Sequence, residues 1–145
     1  MKSVIQRVKS AAVIIEGKEK RSISEGLAVL AAFGKNDNFE ICKKSAEKLL
    51  NLRIFSNESG KFDKSVLDIK GEILIISQFT LYADCQRGKR PDFTGAAPFE
   101  SAKEFYEFFI DEMRKSGLTV KSGEFGAKML VEIQNDGPVT IVFDF

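Results

Sequence analysis

Apolar and polar positions alternate in two registers along this chain, and the change of register marks its elements. The first 33 residues carry strand patterns. Val4, Ile5 and Val8 lead into a β-branched run at residues 11–15, which Gly17 and Lys18 close as a turn. A short piece follows at Ser22 and Ile23. Residues 27–33 then form an apolar central strand between Gly26 and Gly34. The period changes to helical after Asp37, a suitable N-cap with Glu40 three residues on. Ile41, Cys42, Ser45, Ala46 and Leu49 trace the inner stripe, with Lys43, Lys44 and Lys48 outside it.

Residues 57–60 are a turn, across which residues 53–55 and 65–69 are expected to pair. The strongest strand covers 72–79. Its consecutive Ile73, Leu74, Ile75 and Ile76 predict burial on both faces. Residues 84–97 turn polar, carry Gly88, Pro91 and Gly95, and read as a long ordered loop. A second helix is expected from Pro98 at its first position to Gly117, with Phe99, Phe105, Phe109 and Met113 as core. Strands at 119–121, 129–134 and 139–143 complete the chain. The prediction is a single α+β domain over residues 1–145, strand-dominated, with antiparallel-rich, barrel-like sheets and two main helices.

Composition narrows the chemistry. A chain of 145 residues with 43% hydrophobic and 30% charged residues suits one globular domain. Its 22 basic and 21 acidic side chains sum to +1, which argues against gripping nucleic acid by bulk charge alone. Cys42 and Cys85 stand far apart, as expected in a reducing cytosol, and no apolar run approaches the ~18–20 residues that span a bilayer. The start has no signal-peptide pattern, so a cytoplasmic location is expected. Histidine is absent. That removes Ser-His-Asp and Cys-His machinery and His-ligated zinc, and leaves no metal or cofactor indicated.

Candidate chemistry then rests on a few short stretches. Ser77, Gln78, Phe79 and Thr80 follow the buried strand, where side chains and free backbone N–H groups can face a pocket. Capping the strand end is the commoner role for such residues. Asn135, Asp136, Gly137 and Pro138 taken alone make a hairpin turn. Arg87, Lys89 and Arg90 beside Phe93 form a small basic cluster able to hold phosphates, or a plain solvated loop. Arg7 is either a solvent-facing residue or a guanidinium fork on backbone carbonyls. Residues 123–127 suit a bulge or a close backbone approach.

Taken together and in order, these stretches resemble D-aminoacyl-tRNA deacylases. The resemblance rests on Ile5-Gln6-Arg7-Val8, Ser77-Gln78-Phe79-Thr80-Leu81 and Asn135-Asp136-Gly137-Pro138-Val139-Thr140. Arg53-Ile54-Phe55-Ser56, Arg87-Gly88-Lys89-Arg90-Pro91 and the stretch from Gly123 to Met129 add to it. Asp92 departs from the pattern, where a small polar residue is expected. The resemblance implies hydrolysis of the ester between tRNA and a D-amino acid, or glycine mischarged on tRNA(Ala). It implies a homodimer with active sites at the subunit interface and a cis Gly137-Pro138 bond reaching into the partner's pocket to exclude L-residues. Arg7 would brace that turn. Ser77, Gln78, Phe79 and Thr80 would line the ester and adenosine pocket, with Met129 near the amino-acid end and Arg87, Lys89 and Arg90 toward tRNA. Catalysis would use backbone oxyanion stabilisation and the substrate's own ribose hydroxyl. The alternatives are a non-catalytic RNA- or DNA-binding dimer using the basic loop, and a purely structural dimer.

Overall fold

The computed structural model describes residues 1–86 and 88–145. Its sheet is organised around one long strand, β1 (Lys2–Ile15). The first half of β1 pairs with β3 (Gly26–Ala32), from Lys2↔Ala32 to Val8↔Gly26. Its second half pairs with β2 (Glu19–Ile23), from Ala11↔Ile23 to Ile15↔Glu19. Gly26 is the hand-over between these two neighbours. A Cβ there would stand 1.8 Å from the Glu72 carbonyl oxygen, so only glycine lets β3 meet the next strand. The helix α1 (Phe39–Leu50) and a small hairpin, β4 (Phe55–Ser56) with β5 (Phe62–Lys64), follow. Then β6 (Glu72–Ser77) lies parallel to β3. Beyond α2 (Phe99–Arg114), β7 (Val120–Ser122) extends the sheet parallel to β6. Last, β8 (Met129–Asp144) runs antiparallel along the whole of β1, from Ile15↔Met129 to Lys2↔Asp144. The result is a strand-rich, nearly closed barrel-like sheet with two helices, as the sequence predicts. Parallel pairing of β3, β6 and β7 accompanies the antiparallel remainder.

The two helices cover one face. Leu49, Cys42, Tyr106, Phe109 and Met113 pack there on Ile5, Leu27, Val29, Ile73 and Ile75. The other face gathers Val8, Val13, Ile15, Ala28, Leu74 and Ile76, with Met129, Val131 and Ile133 only partly covered. Residues 73–76 are therefore buried on both faces, as their unbroken apolar run implies. Among the described residues, no helix is long and apolar enough to cross a membrane.

Several local expectations are corrected. The strands expected at 129–134 and 139–143 are one strand, so residues 135–138 do not make a hairpin turn. Pairing passes from Gln6↔Thr140 to Val8↔Asn135, so Arg7 alone opposes four residues, 136–139, which loop out of the ladder. The N-cap of α1 is Asn38, whose side chain accepts from the Ile41 N–H at 2.9 Å. Asp37 is occupied elsewhere, accepting from the Gly34 N–H at 2.6 Å and from the N-terminal ammonium at 2.6 Å. Pro98 precedes α2 with ψ 151°, outside helical geometry, and Phe99 is the first helical residue. Gly117 closes that end with φ +77°. Residues 65–69 turn instead of pairing with 53–55. The Asp68 carboxylate accepts from the Ser65 N–H and hydroxyl, both at 2.7 Å, which holds the carboxyl below its usual range. The sixth strand stops at Ser77, two residues early, because Phe79 opens a 3-10 turn, Phe79–Tyr82.

Candidate active site

A cleft of about 540 Å³ opens at the C-terminal end of β6. Ser77, Gln78 and Phe79 form one wall, Ala96 and Ala97 another, and Phe99 and Phe125 stand at its end, their rings 5.1 Å apart. Met129 and Val131 of β8 supply the floor. The chain turns here because Gln78 leaves the strand at ψ 73° while its N–H still reaches the Ala31 carbonyl at 2.8 Å. Leu81 and Ala83 close the turn onto the Gln78 and Thr80 carbonyls at 3.1 and 3.0 Å. The first N–H groups of a helical turn have no acceptor within it. Those of Phe79 and Thr80 meet none among the described residues.

Side chains complete the wall. The Gln78 amide donates to the Thr80 hydroxyl oxygen. Phe79, 55% exposed, meets Phe93 edge-on at 5.0 Å. Phe99 is 60% exposed and lines the cleft, contrary to its expected place in the core, because on the first turn of α2 its ring packs against Phe125 at the cleft's end. Phe109 does enter the core and Phe105 is half-buried. Behind the cleft, the Tyr106 hydroxyl donates to the Ile75 carbonyl at 2.9 Å and the Gly123 carbonyl at 3.4 Å. Burial pushes that phenol above its ordinary range. A Cβ on Gly123 would stand 2.5 Å from the Met129 sulfur, so residues 123–127 make a close approach to β8.

A second feature lies elsewhere on the molecule. Gly137 and Pro138 are joined by a cis peptide bond and both are exposed at the tip of the looped-out segment. Arg7 holds its base: Nε donates to the Asp136 carbonyl at 3.2 Å and Nη1 to the Ile54 carbonyl at 2.8 Å. The guanidinium also lies 5.4 Å over the Phe62 ring. Gly137 has φ +123°, and a Cβ there would stand 2.9 Å from Arg7 Nη2 and 2.8 Å from Val139 Cγ2. Asn135 spans the loop, its Oδ1 accepting from the Val139 N–H at 3.1 Å and its Nδ2 donating to the Thr140 hydroxyl at 2.8 Å. Lys9 adds an ion pair to Asp136 at 3.6 Å and another to Glu25 at 3.0 Å.

Of the residues singled out from sequence, Ser77, Gln78, Phe79 and Met129 share the cleft, and Thr80 joins it through Gln78. Arg7, Gly137 and Pro138 are together at the tip, and Arg7 is a fork on carbonyls. The two groups do not share a cleft: none of Arg7, Gly137 and Pro138 lines it, and Asn135, where the tip leaves the ladder, is four residues beyond Val131 on β8, about 13 Å at strand spacing. Lys89 and Arg90 are exposed in the loop closed by Asp84 and Asp92, and Arg87 lies outside the described residues. Asp92 fits its place despite departing from the pattern: its carboxylate accepts from the Thr94 N–H at 2.7 Å. The sequence pattern gives no sign of Phe62, names Ile54 only within the Arg53-Ile54-Phe55-Ser56 stretch and assigns its carbonyl no role, and gives no separate role to Asn135 and Thr140, whose Asn-x-Gly-Pro-x-Thr spacing is the available clue.

The family described as D-Tyr-tRNA(Tyr) deacylase matches residues 4–144. A D-aminoacyl-tRNA deacylase of Thermosipho africanus is 53% identical over 99% of this chain and 97% of that protein. Another, of Aquifex aeolicus, is 54% identical with the same coverage. A solved structure named c-Myc DNA unwinding element binding protein superposes with TM-score 0.92 at 45% identity, covering 100% of this chain and 99% of that one. A probable eukaryotic D-amino acid tRNA deacylase, only 17% identical, shares the fold with TM-score 0.91 over 99% of this chain and 98% of the other. The chain belongs to the D-Tyr-tRNA(Tyr) deacylase family, enzymes that hydrolyse D-aminoacyl-tRNA in translational proofreading.

Proposed function

We propose that the whole chain, residues 1–145, acts in the cytoplasm as a homodimer that cleaves the ester joining a D-amino acid to tRNA, and also glycine mischarged on tRNA(Ala). The observation that carries this reading is the separation of two built features. An open cleft lined by Ser77, Gln78 and Phe79 and an exposed, clamped Gly137-Pro138 tip occur on one chain, and the tip does not line that chain's own cleft. In a two-fold dimer each tip enters the other subunit's cleft. There the partner's Gly137 and the partner's Pro138 present carbonyls where an L side chain would project. Chirality is then selected by exclusion rather than by affinity. The outer side of β8 has no neighbouring strand among the described residues, and its Leu130 and Val142 are 62% and 78% exposed, which suits a covered surface.

An aminoacyl ester is reactive enough that positioning and charge stabilisation suffice. The Phe79 and Thr80 N–H groups are the oxyanion donors, and the ribose hydroxyl of the terminal adenosine activates the attacking water. Thr80 positions substrate. Its hydroxyl oxygen is hydrogen-bonded to the Gln78 amide, which cannot take its proton. Met129 sits toward the amino-acid end, and Lys89, Arg90 and Arg87 meet tRNA phosphates. The test is release of amino acid from matched D- and L-aminoacyl-tRNA by purified protein without added metal. Cleavage of the D-form with the L-form spared is expected. Equal cleavage of both would remove the Gly137-Pro138 gate.

The name of the 45% identical structure favours a second reading, a non-catalytic RNA- or DNA-binding dimer that uses the basic loop. Lack of cleavage of either ester would bring it forward. In that case changes at Gly137 and Pro138 should leave nucleic-acid affinity intact.

A further inference from the structure

The two long walls of the cleft, residues 77–80 and Ala96 with Ala97, come from separate stretches of chain. No hydrogen bond among the described residues joins them directly. Each is instead tied to the exit of β3. The Gln78 N–H reaches the Ala31 carbonyl at 2.8 Å, the Ala97 N–H reaches the Phe33 carbonyl at 2.9 Å, and the Lys35 N–H reaches the Gly95 carbonyl at 3.3 Å. Spacing between the walls therefore depends on what fills the gap beside that exit.

Tyr82, the last residue of the 3-10 turn, fills it. A Cβ on Gly34 would stand 2.5 Å from the Tyr82 hydroxyl oxygen and 2.7 Å from Cζ, and one on Gly95 would stand 3.4 Å from Cδ1. The ring thus lies between its own turn and the bare backbone of the paired stretches at Gly34 and Gly95, and Lys2 Nζ caps it 5.1 Å from the centroid. Burial, then the nearby Asp37 carboxylate, pushes the phenol up to about 12, so it stays neutral in this slot. Asp37 in turn is fixed to the Gly34 N–H at 2.6 Å.

We propose that Tyr82 is a positioning residue for deacylation, a wedge whose ring sets the distance between the wall at residues 77–80 and the wall at Ala96 and Ala97. The proposal rests on the deacylase reading for its kinetic consequence. Substrate is held by the cleft's apolar lining, whereas turnover needs the reacting groups in register. A displacement of about 1 Å can cost about 100-fold in rate.

Three variants test it through kcat and KM for D-aminoacyl-tRNA, at a temperature where each is folded by circular dichroism. Tyr82→Ala removes the wedge and Gly34→Ala drives a methyl group into it. Each should lower kcat by about 10- to 100-fold with KM changed less than about threefold. Tyr82→Phe, which keeps the ring, should recover most of the turnover that Tyr82→Ala loses. Adding Gly34→Ala to Tyr82→Ala should cost little more, since the methyl group then meets an empty slot. A kcat unchanged in Tyr82→Ala, or a loss lying wholly in KM or in folded fraction, overturns the wedge. Wild-type protein that cleaves no D-aminoacyl-tRNA overturns the deacylase reading instead. The 15N amide shifts of Ala96 and Ala97 then decide the wedge: displaced in Tyr82→Ala they support it, unmoved they overturn it.

Discussion

Arg7 grips Asp136 twice, with its Nε donating to the main-chain carbonyl at 3.2 Å and standing 3.3 Å from the carboxylate. The contact spans the place where β8 leaves the ladder, and the same guanidinium reaches the Ile54 carbonyl at 2.8 Å. A planar fork can serve these acceptors together, whereas an ammonium is a point donor. Arg7→Lys should therefore weaken discrimination between D- and L-aminoacyl-tRNA while leaving the cleft intact. Arg7→Ala strands partly buried acceptors and should lower unfolding free energy by about 1–3 kcal/mol, read by urea denaturation. Unchanged discrimination in both variants would show that Arg7 does not govern the tip.

Asn135 ties the two ends of the same loop. Truncation to Ala removes the acceptor of the Val139 N–H, in a residue only 8% exposed, together with the donor to Thr140. Asn135→Ala should cost about 1–2 kcal/mol and speed hydrogen exchange at the Val139 amide. Thr140→Val removes one acceptor and leaves the Asn135–Val139 bond, so its exchange rate should change less. Equal acceleration in the two variants would contradict the clamp.

What the sequence discloses here follows from how far apart the partners lie. Residues 73–76 announce a doubly buried strand because burial on both faces is written in consecutive side chains. Both helices are legible for the same local reason, their stripes repeating every three or four residues. The loop at 136–139 is not legible as a bulge, because turn and bulge use the same residues. The difference lies in Arg7, 129 positions away from Asp136. Phe99 shows the other limit: helical spacing gives its side of the helix but not that the helix begins at an open cleft. Tyr82 carries no signal at all, since its partners are the missing side chains of Gly34 and Gly95. The site's polar residues and the Arg7 brace are readable as motifs, whereas supports such as Tyr82 and Phe62 are not.

The Gln78 amide occupies the oxygen of Thr80, and that bond bears on mechanism. If Thr80 only orients substrate, Thr80→Val should retain measurable turnover, with a loss of about 10-fold or less. The assay is single-turnover release of the amino acid. Complete loss with substrate binding unaltered would make the hydroxyl a nucleophile and demand a base that the present geometry does not provide.

Cys42 gives the molecule a defined weakness at alkaline pH. Its thiol lies fully buried beneath α1, and burial, reinforced by the Asp37 carboxylate, pushes it up to about 12. In the unfolded chain the thiol ionises near pH 8.5, so from about pH 9 to 12 the unfolded state holds fewer protons than the folded one. Stability from this group is complete below the unfolded value and declines as pH rises, by up to about 1.4 kcal/mol per unit. Urea midpoints measured from pH 8 to 11 should fall, and Cys42→Ala should flatten the slope. Thiol labelling supplies an independent reading, because Cys85 is exposed and Cys42 is not. One thiol should react at pH 8 in native protein and the second only on unfolding. Equal labelling rates, or a slope unaffected by Cys42→Ala, would mean that the thiol is not shielded as its burial implies.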